Sequence, residues 1–343
     1  MQLLTLILIA LLPVASLARS HHHLSRQHHG SKRHNVARDT QYKLQTKHQG
    51  QNFFDDWYFY TEDDPTHGNV KYESRENSQD LAYVQDDGTT VLKVDNKGYV
   101  PPGGKRRSVR ITSKETYNGG LFIADFWHLA SGPTLWPAFW TVGGHWPDQG
   151  EIDIIEYVNT GKVNQYTLHT GTGGECKLDP NAGARYRNKD GSQPKSYLGN
   201  TLGLQCKSSN GNNAGCAVDD SDGSVGSPFN MAGGGVFAML WDETQISFWR
   251  FERNHIPQDI QDGNPDPETW GIPVAYWSDK GCDIANAFRD HSIIINISIC
   301  GDWAGAAYDN DHQPGSCSDA VANATNYDFA QIKINHISIY QKA

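Results

Sequence analysis

Short runs of alternating apolar and polar residues, divided by clusters of Asn, Asp, Gly and Pro, dominate the chain from about residue 51 onward. Alternation with a period of two is typical of β-strands, and no long segment with the helical period of 3.6 intervenes. Ten runs are predicted to be strands, at residues 91–94, 108–113, 119–127, 137–142, 151–158, 165–170, 234–241, 246–251, 292–299 and 332–340. Many short strands with such turns predict an all-β fold, a single antiparallel β-sandwich or jelly roll over residues 51–343.

The start of the chain has a different composition. Residues 1–18, MQLLTLILIALLPVASLA, form an apolar run with Ser16 and Ala18 at the minus-three and minus-one positions of a cleavage site. The run predicts a secretory signal peptide cleaved after Ala18, and hence an extracellular protein, although it carries no Lys or Arg; a buried N-terminal helix is the alternative. No later run reaches about 18 apolar residues and the C-terminus has no hydrophobic tail, so we expect no membrane anchor.

Residues 19–50 are basic and rich in histidine, with seven Lys or Arg against one Asp. A segment this polar cannot bury a core, so we expect a disordered linker or pro-segment, with Lys32–Arg33 as a processing site. Metal binding by its histidines is the alternative. Because the formal net charge of the chain is −10, the remainder carries about −16. This acidic body argues against a nucleic-acid partner and suits an uncharged, hydroxyl-rich substrate, and we expect a monomer.

Six cysteines, an even number in a chain expected to be exported, predict up to three disulfides. Two pairs each bracket a loop and the third follows by elimination, which gives Cys206–Cys216, Cys300–Cys317 and Cys176–Cys282. The first pair lies in the main irregular stretch, residues 171–235, which we expect to form an ordered wall of a cleft. None of the spacings matches a zinc site, so we expect no structural metal bound by cysteine.

Three carboxylates within six residues mark the segment GEIDIIEYV. In a regular strand Glu151 and Asp153 share one face, whereas Glu156 points into the core, where an unpaired carboxylate is costly. One extra residue, a β-bulge at Ile154–Ile155, returns Glu156 to the face of the other two and keeps the isoleucines inside. The motif therefore predicts a bulged strand with three carboxylates on one face.

Such a trio suits the retaining hydrolysis of glycosidic bonds. Two carboxyl groups about 5–5.5 Å apart divide the work, since one attacks the sugar and the other protonates the leaving oxygen. Asp153, between the two, is placed to hydrogen-bond the nucleophile and to help keep Glu156 protonated by mutual repulsion. A solvent-facing acidic strand or a calcium site is the alternative, but the neighbouring aromatic residues favour catalysis.

Aromatic and polar side chains near the motif are candidates for sugar binding. In the segment TLWPAFWTV, Trp136 and Trp140 fall on one face and Phe139 on the other, and sugar rings stack on indoles. The late strand SIIINISI places Asn296 and Ser298 on the face away from its isoleucines, as a cleft floor. Core packing is the alternative for each of the tryptophans, and a structural role is the alternative for His169 on the strand that follows the motif. The predicted substrate contacts are Trp136, Trp140, Trp146, Gln165, His169 and Trp303.

Two glycosylation sequons are present, at Asn296 and Asn323. Asn323 lies in a polar loop and is predicted to carry a glycan, as is common in exported proteins. Asn296 lies within a predicted strand, where a glycan would disrupt the sheet or fill the cleft. We therefore predict that Asn296 is unmodified.

These motifs together resemble glycoside hydrolase family 16, and within it the fungal-type, laminarinase-like endo-β-1,3(4)-glucanases. The resemblance rests on WPAFWTVGGHWPDQGEIDIIEYVN, TLHT, CGDWAG and GSC, with FFDDWYFYTEDDPTHGNVKY and GGLFIADFWH as early strands, and it covers roughly residues 51–341. It implies a jelly roll with a substrate cleft across its concave sheet, β-glucan as the substrate, retention of anomeric configuration and no required cofactor. It further implies that Glu151 is the nucleophile, Asp153 its assisting carboxylate and Glu156 the acid/base.

The chain departs from the family pattern at three places. Tyr157 stands where relatives tend to have Gly, Tyr308 stands where they tend to have Trp, and the segment LASGPTLWP lacks a cysteine that many of them have. These changes bear on subsite shape and leave open the preference among β-1,3, mixed-linkage and branched glucans. A structural calcium ion on the convex face, present in some relatives, is also left open and is assigned to no residues.

Two other functions fit the same fold. A covalent glycosyl-enzyme reacts with a sugar as well as with water, so a cell-wall glucan transglycosylase is the first alternative. The second is a non-catalytic β-glucan-binding protein; such binders typically lack one or both glutamates, whereas this chain has Glu151 and Glu156. A charged galactan fits less well as a substrate, because the main body of the chain is acidic.

Overall fold

Strands account for most of the regular structure, as the alternation of apolar and polar residues predicts. The computed structural model describes residues 42–172, 176–182, 196–209, 212–310 and 313–343. The strands within these ranges are β1 (Tyr42–His48), β2 (Trp57–Phe59), β3 (Val70–Tyr72), β4 (Ala82–Val84), β5 (Thr90–Lys93), β6 (Arg106–Ser108), β7 (Arg110–Tyr117), β8 (Gly120–His128), β9 (Leu135–Val142), β10 (Glu151–Glu156), β11 (Gln165–His169), β12 (Asn200–Thr201), β13 (Cys216–Asp219), β14 (Gly235–Asp242), β15 (Gln245–Glu252), β16 (Ala275–Ser278), β17 (His291–Ile299) and β18 (Gln331–Lys342).

Helical segments are short and lie in the connections between strands. The α-helices within the described ranges are α1 (Gly226–Met231), α2 (Gln258–Gln261), α3 (Ile284–Ala287), α4 (Ala306–Asn310) and α5 (Cys317–Ala320). Short 3-10 helices lie at Gly50–Asp56, Arg253–His255, Pro267–Thr269 and Ala324–Tyr327, and a π-helical turn spans Gly301–Gly305. None of these helices, within the part of the chain that the structure describes, has the length and apolarity needed to cross a membrane.

The strands form two large sheets of eight strands each. The first sheet has the order β16-β15-β14-β8-β18-β5-β4, with β1 paired to β18, and the second has the order β12-β13-β11-β10-β9-β17-β7-β2. Strands β3 and β6 form a small parallel pair. Neighbours such as β9 and β17 pair antiparallel although they are far apart in the sequence, as the predicted jelly roll requires.

The main hydrophobic core lies between the two large sheets. Phe126 on β8 of the first sheet packs edge-on against Phe139 on β9 of the second, with ring centroids 5.6 Å apart. Tyr166 on β11 and Phe248 on β15 make a second contact between the sheets, with tilted rings whose centroids are 4.9 Å apart. These contacts fix the inner face of the second sheet, so the alternate side chains of β9, β10 and β11 point outward.

The outer face of the first sheet has a smaller apolar cluster of its own. Leu121 and Ile123 on β8 belong to it, together with Trp249 on β15. The connection between β15 and β16 covers this cluster, because Trp270 packs edge-on against Trp249 and Phe251 at 5.4 Å each. The polar outer face that concerns function is therefore that of the second sheet.

The domain begins earlier than predicted. Residues 42–48 were expected within the disordered segment 19–50, but they form β1 and pair with β18. Their composition is misleading because most side chains of β1 face solvent, while Tyr42 and His48 are buried and the backbone groups pair with β18. The predicted signal peptide and residues 19–41 lie outside the described residues.

Candidate active site

The bulge in β10 lies where the sequence predicts it. Against β9 the register shifts between Asp153 and Ile155, which leaves Ile154 as the extra residue. The isoleucines of the motif are all buried in the main core. The carboxylates emerge on the opposite face and line one cavity together: Glu151, Asp153 and Glu156. The bulge and the shared face of the three carboxylates are therefore confirmed.

The backbone that the bulge removes from the ladder is paired by a side chain. The ladder between β10 and β11 ends at the pair Asp153 and Thr167. Beyond it, the buried side chain of Asn164 accepts a hydrogen bond from the backbone N–H of Glu156 and donates one to the carbonyl of Ile154, each at 2.9 Å. Asn164 thus stabilises the bulge at the residue that carries the third carboxylate.

Indole N–H groups hold the carboxylates in place. Trp136 donates from Nε1 to Oε1 of Glu156 at 2.9 Å, and the side chain of Trp146 makes a hydrogen bond to Glu151. Trp140 instead donates to Oδ1 of Asn296 on β17, at 2.7 Å. All three tryptophans line the cavity, so they present both a hydrogen-bonding edge and an apolar ring to it.

The cavity above the carboxylates has a volume of about 400 Å³. Its floor is formed by strands of the second sheet, and loops at Asp64–Thr66, Gly143–Gly144 and Asn213 form its rim. Aromatic faces next to hydroxyl, amide and carboxylate groups suit a ligand that is apolar on its ring faces and polar around its edge. A sugar has this character, whereas a purely apolar or strongly charged ligand does not.

Asp153 is the most deeply buried carboxylate, at 2 % exposure. Its Oδ2 lies 3.3 Å from Nε2 of His169 on the neighbouring strand β11, and Nδ1 of His169 lies 3.0 Å from Oγ of Ser208. His169 therefore supports the carboxylate cluster from the side, and it does not contribute to the cavity lining. Direct contact of His169 with substrate stays a prediction.

Burial and mutual repulsion shift the ionisation of the cluster. Burial is the main cause that raises the pKa of Glu151, of Asp153 and of Glu156 to about 8 each. The charge of Asp153 raises the pKa of both glutamates further, while His169 and the hydrogen bonds from the tryptophans lower it. Because burial and, for the glutamates, the repulsion of like charges both disfavour the charged forms, the cluster retains protons at neutral pH, as a general acid requires.

Among the described residues, the same cluster is the one group arranged like metal ligands. A carboxylate oxygen of Glu151, one of Asp153 and a ring nitrogen of His169 lie within 4.8 Å of one another. Calcium prefers six to eight oxygen ligands, which this group does not supply. A cation here would also neutralise Glu151, which the motif predicts to be the nucleophile. The prediction that no cofactor is required stays a prediction.

Gln165 and Trp303 lie beside the cavity instead of in its lining. Gln165 donates from Nε2 to Oγ1 of Thr167 at 2.9 Å. Trp303 packs edge-on against Trp136, with ring centroids 5.6 Å apart. Both predicted residues remain partly exposed at the margin of the site, so their contact with a longer sugar chain stays a prediction.

The disulfides pair as predicted, as Cys176–Cys282, Cys206–Cys216 and Cys300–Cys317. The second of these closes a loop whose Asn213 lines the cavity, which confirms that part of the stretch 171–235 forms a wall of the cleft. Residues 173–175, 183–195 and 210–211 of that stretch lie outside the described residues.

The two sequons lie in different surroundings. Asn323 is exposed and caps the turn Ala324–Tyr327 through a hydrogen bond from the Thr325 backbone. Asn296 is buried on the cavity floor and accepts from Trp140. A glycan on Asn323 and an unmodified Asn296 stay predictions.

Other cavity residues were missed from the sequence. Oδ2 of Asp64 accepts hydrogen bonds from Ser298 and Thr66, at 2.6 and 2.8 Å. The Arg110 guanidinium, opposite Asn296 in the ladder between β7 and β17, lies 5.1 Å from the ring centre of Trp140. The alternation in SVRITS would have placed Arg110 on the outer face, between buried Val109 and Ile111, whereas no pattern indicates Asp64.

An antiparallel sandwich that holds three carboxylates between tryptophans on the outer face of one sheet defines a carbohydrate-cleaving β-sandwich enzyme. The family model described as XgeA-like, catalytic GH16 domain, matches residues 57–340. The chain belongs to glycoside hydrolase family 16 and is a glycoside hydrolase, as the resemblance of its motifs predicted.

Curated relatives are similar over most of this chain. A probable glycosidase of Schizosaccharomyces pombe is 38 % identical over 314 residues, which cover 90 % of this chain and 71 % of that protein. A probable endo-1,3(4)-beta-glucanase of Aspergillus fumigatus is 38 % identical over 319 residues, 89 % of this chain and 46 % of the relative. The chain therefore spans about half the length of the Aspergillus relative.

Solved structures have the same fold. Laminarinase 16A from Phanerochaete chrysosporium, solved with 6-O-glucosyl-laminaritriose in donor and acceptor sites, has 34 % identity and a TM-score of 0.79, over 88 % of this chain and 99 % of that one. An elongating GH family 16 β-1,3-glucosyltransferase has 36 % identity and a TM-score of 0.78, over 88 % of this chain and 100 % of that one. The predicted β-sandwich jelly roll is confirmed.

Proposed function

We propose that this protein is a secreted, retaining endo-β-glucanase that hydrolyses internal β-1,3 bonds of laminarin-type glucans, with mixed-linkage glucans as a second substrate. The observation that carries the proposal is the bulged strand β10, which gathers three carboxylates in one cavity lined by three tryptophans. The substrate class is supported by relatives named as endo-1,3(4)-beta-glucanases. Export is supported by the three disulfides, which are typical of oxidising compartments.

In this proposal two glutamates act in turn. Glu151 attacks the anomeric carbon while Glu156 gives its proton to the glycosidic oxygen, so the C–O bond breaks as an ester bond to Glu151 forms. Glu156 then takes a proton from water, whose oxygen attacks the anomeric carbon and releases Glu151. Two inversions retain the anomeric configuration, and both carboxyl groups return to their starting protonation states.

Asp153 divides the protons between the two glutamates. Of the three carboxyl groups, whose pKa values are all raised, Glu151 is the one that gives up its proton to enter the reaction ionised, and a proton retained on Asp153 limits the negative charge beside it. Glu156, whose pKa is raised to about 8, enters the reaction protonated. Nε2 of His169 lies 3.3 Å from Oδ2 of Asp153, beside that carboxyl group.

Proton NMR of the purified protein with laminarin and, separately, with lichenan tests the proposal. We expect new reducing ends from laminarin that are β-anomeric in the first seconds, before mutarotation, and the relative rate on lichenan sets the linkage preference. New α-anomeric ends would contradict retention. No reaction with either glucan would leave a non-catalytic β-glucan-binding protein.

Substitution of Glu151 by Ala tests the nucleophile. We expect laminarin hydrolysis to be abolished, because no ester to the enzyme can form. Added azide should restore reaction of an activated glucoside and give the α-glycosyl azide, which product analysis identifies. A β-glycosyl azide would mean that the two glutamates have the opposite roles.

Substitution of Glu156 by Ala tests the acid/base. Without its proton the natural leaving group departs slowly, so we expect turnover of laminarin to fall by about 10²–10⁴-fold. The first step with an activated aryl glycoside needs no acid and should persist as a burst of released phenol. Loss of that burst would contradict the acid role.

A transglycosylase is the second candidate, and one observation favours it. An elongating glucosyltransferase is 36 % identical to this chain, and the match covers the full length of that glucosyltransferase. The same covalent intermediate would then react with a glucan hydroxyl instead of water. In the NMR experiment, longer oligosaccharides without a net gain of reducing ends would replace the hydrolase proposal by this one.

A further inference from the structure

The bulge in β10 leaves two backbone groups that the strand ladder does not pair. Antiparallel residues normally exchange an N–H and a C=O across the ladder, and a bulge interrupts this exchange. On the β11 side of β10 the regular pairing stops at Asp153, so the Ile154 carbonyl and the Glu156 N–H lie beyond it. A buried peptide group without a partner is costly, so another group has to satisfy these two.

The side-chain amide of Asn164 takes the place of the missing peptide. Its Oδ1 accepts from the Glu156 N–H and its Nδ2 donates to the Ile154 carbonyl, both at 2.9 Å. A primary amide has a donor and an acceptor on one edge, as a strand residue does. Asn164 directly precedes β11, so its side chain extends the ladder past the bulge.

Asn164 is itself held firmly. Its side chain is fully buried, its N–H donates to Oγ of buried Ser224 at 2.7 Å, and its carbonyl accepts from the Asp220 N–H at 2.9 Å. Both partners belong to the segment after β13. Asn164 thus links the bulge to the segment before β11 and to the segment after β13, and both hold it in place.

We propose that Asn164 is a positioning residue of the active site, which acts through the bulge to aim the carboxyl group of Glu156 at the scissile bond. This inference rests on the proposed acid/base role of Glu156. A different hydrogen bond, from Trp136, holds the tip of the Glu156 side chain, so Asn164 governs the backbone from which that side chain starts. Misplacement of a catalytic group by about 1 Å costs on the order of 10²-fold in rate.

Substitution of Asn164 by Ala is expected to lower kcat on laminarin by about 100-fold and to change KM by less than about 3-fold, because the tryptophans that bind sugar stay in place. The matched control is Asn230→Ala. The Asn230 amide also accepts from a backbone N–H and donates to a carbonyl, both of Leu129, outside the carboxylate cavity. We expect this control to keep the wild-type kcat.

Substitution of Asn164 by Asp gives a readout that loss of stability alone would not move. A neutral Asp has one donor and one acceptor and can replace the amide, whereas ionised Asp repels the Ile154 carbonyl. The ratio of its kcat to that of the wild type should therefore rise at least 10-fold as the pH falls from 8 to 5. Dividing by the wild type cancels the titration that the two proteins share, and the titratable and charged groups around this position are Asp153, Glu156, His169, Tyr166, Asp220 and Arg250.

Thermal melting and initial rates are measured for wild type and for all three variants. If the Asn164 variants are folded at the assay temperature, as shown by a cooperative melt well above it, and keep the wild-type kcat, the inference is overturned. It is also overturned if Asn230→Ala loses as much kcat as Asn164→Ala, or if the Asp ratio is independent of pH. An inactive wild type would instead reject the proposed function, and the positioning role with it.

Discussion

Trp136 is placed to set the pH at which Glu156 loses its proton. The indole N–H donates to the Glu156 carboxyl oxygen and favours the charged form, so it lowers the pKa that burial has raised to about 8. Trp136→Phe removes the donor and keeps an aromatic ring. In the proposed mechanism the alkaline limb of kcat on laminarin reports loss of the Glu156 proton, and we expect this limb to move to higher pH. An unchanged or acid-shifted limb would contradict this assignment.

Individual side chains were predictable where strand alternation decides their face. Glu151 and Asp153, and Trp136 against Phe139, fall on the faces that a period of two gives them. Asn164 escaped prediction because its role depends on a side chain that imitates a backbone group, which no hydrophobic pattern reveals. Asp64 escaped because it lies in a loop whose approach to β17 is set by the tertiary fold.

Removal of β1 is expected to lower the stability of the fold without removing any residue that lines the carboxylate cavity. A chain that starts at residue 51 lacks the pairing with β18 and the buried side chains of Tyr42 and His48. We expect its free energy of unfolding to be about 2–4 kcal/mol lower than that of a chain that starts at residue 40, by urea denaturation.

The control for this truncation is Lys43→Gln, which changes an exposed side chain on the same strand. It should leave the unfolding free energy within about 0.5 kcal/mol of the longer chain. Equal stability of the two chain lengths would show that β1 contributes nothing to the fold.

Most of the long strands were predictable, and most of the short ones were not. Each of the ten predicted runs overlaps a strand of the structure, because four or more alternating residues give a clear period. Strands β2, β3, β4 and β12 have two or three residues, too few for a period, whereas the four residues of β16 do not alternate and β13 lies in a stretch predicted to be irregular. Strand β1 is polar on most positions, so its composition resembles a linker.

For the molecule as a whole, the buried carboxylates make stability depend on pH. The pKa of Asp153 is raised to about 8 in the folded state, while in the unfolded chain it has its ordinary value near 4. Between these values the folded state binds more protons than the unfolded state. The free energy of unfolding therefore falls as the pH rises through this window, and the stability is fully present only below it.

Asp153→Asn tests this dependence. At pH 8 the neutral amide removes the cost of a buried charge, so we expect the free energy of unfolding to rise by on the order of 1–2 kcal/mol. At pH 4.5 Asp153 is already largely protonated in the folded state, and the gain should be small. Urea denaturation at both pH values measures it; an equal effect at the two would contradict the raised pKa.

The sandwich itself followed from the number and spacing of the strands, whereas the order of strands within each sheet did not. Pairs such as β8 with β18 and β7 with β17 join segments that are far apart in the chain. Such long-range pairing depends on how all strands pack at once, which a single sequence pattern does not contain. The family resemblance supplied the concave cleft, and the structure shows which strands form it.

Because of the bulge at Ile154, the face on which the carboxylates of β10 lie does not depend on whether the strand has this extra residue. In β10, which has one bulged residue, all three carboxylates lie on the same face. A regular strand that is one residue shorter and has no bulge would also place its first, middle and last carboxylates on one face. Deletion of one residue from a regular strand of the second sheet would move every following side chain of that strand to the opposite face. Strands of two lengths can therefore interconvert here by loss or gain of a single codon, without an intermediate whose carboxylates point the wrong way.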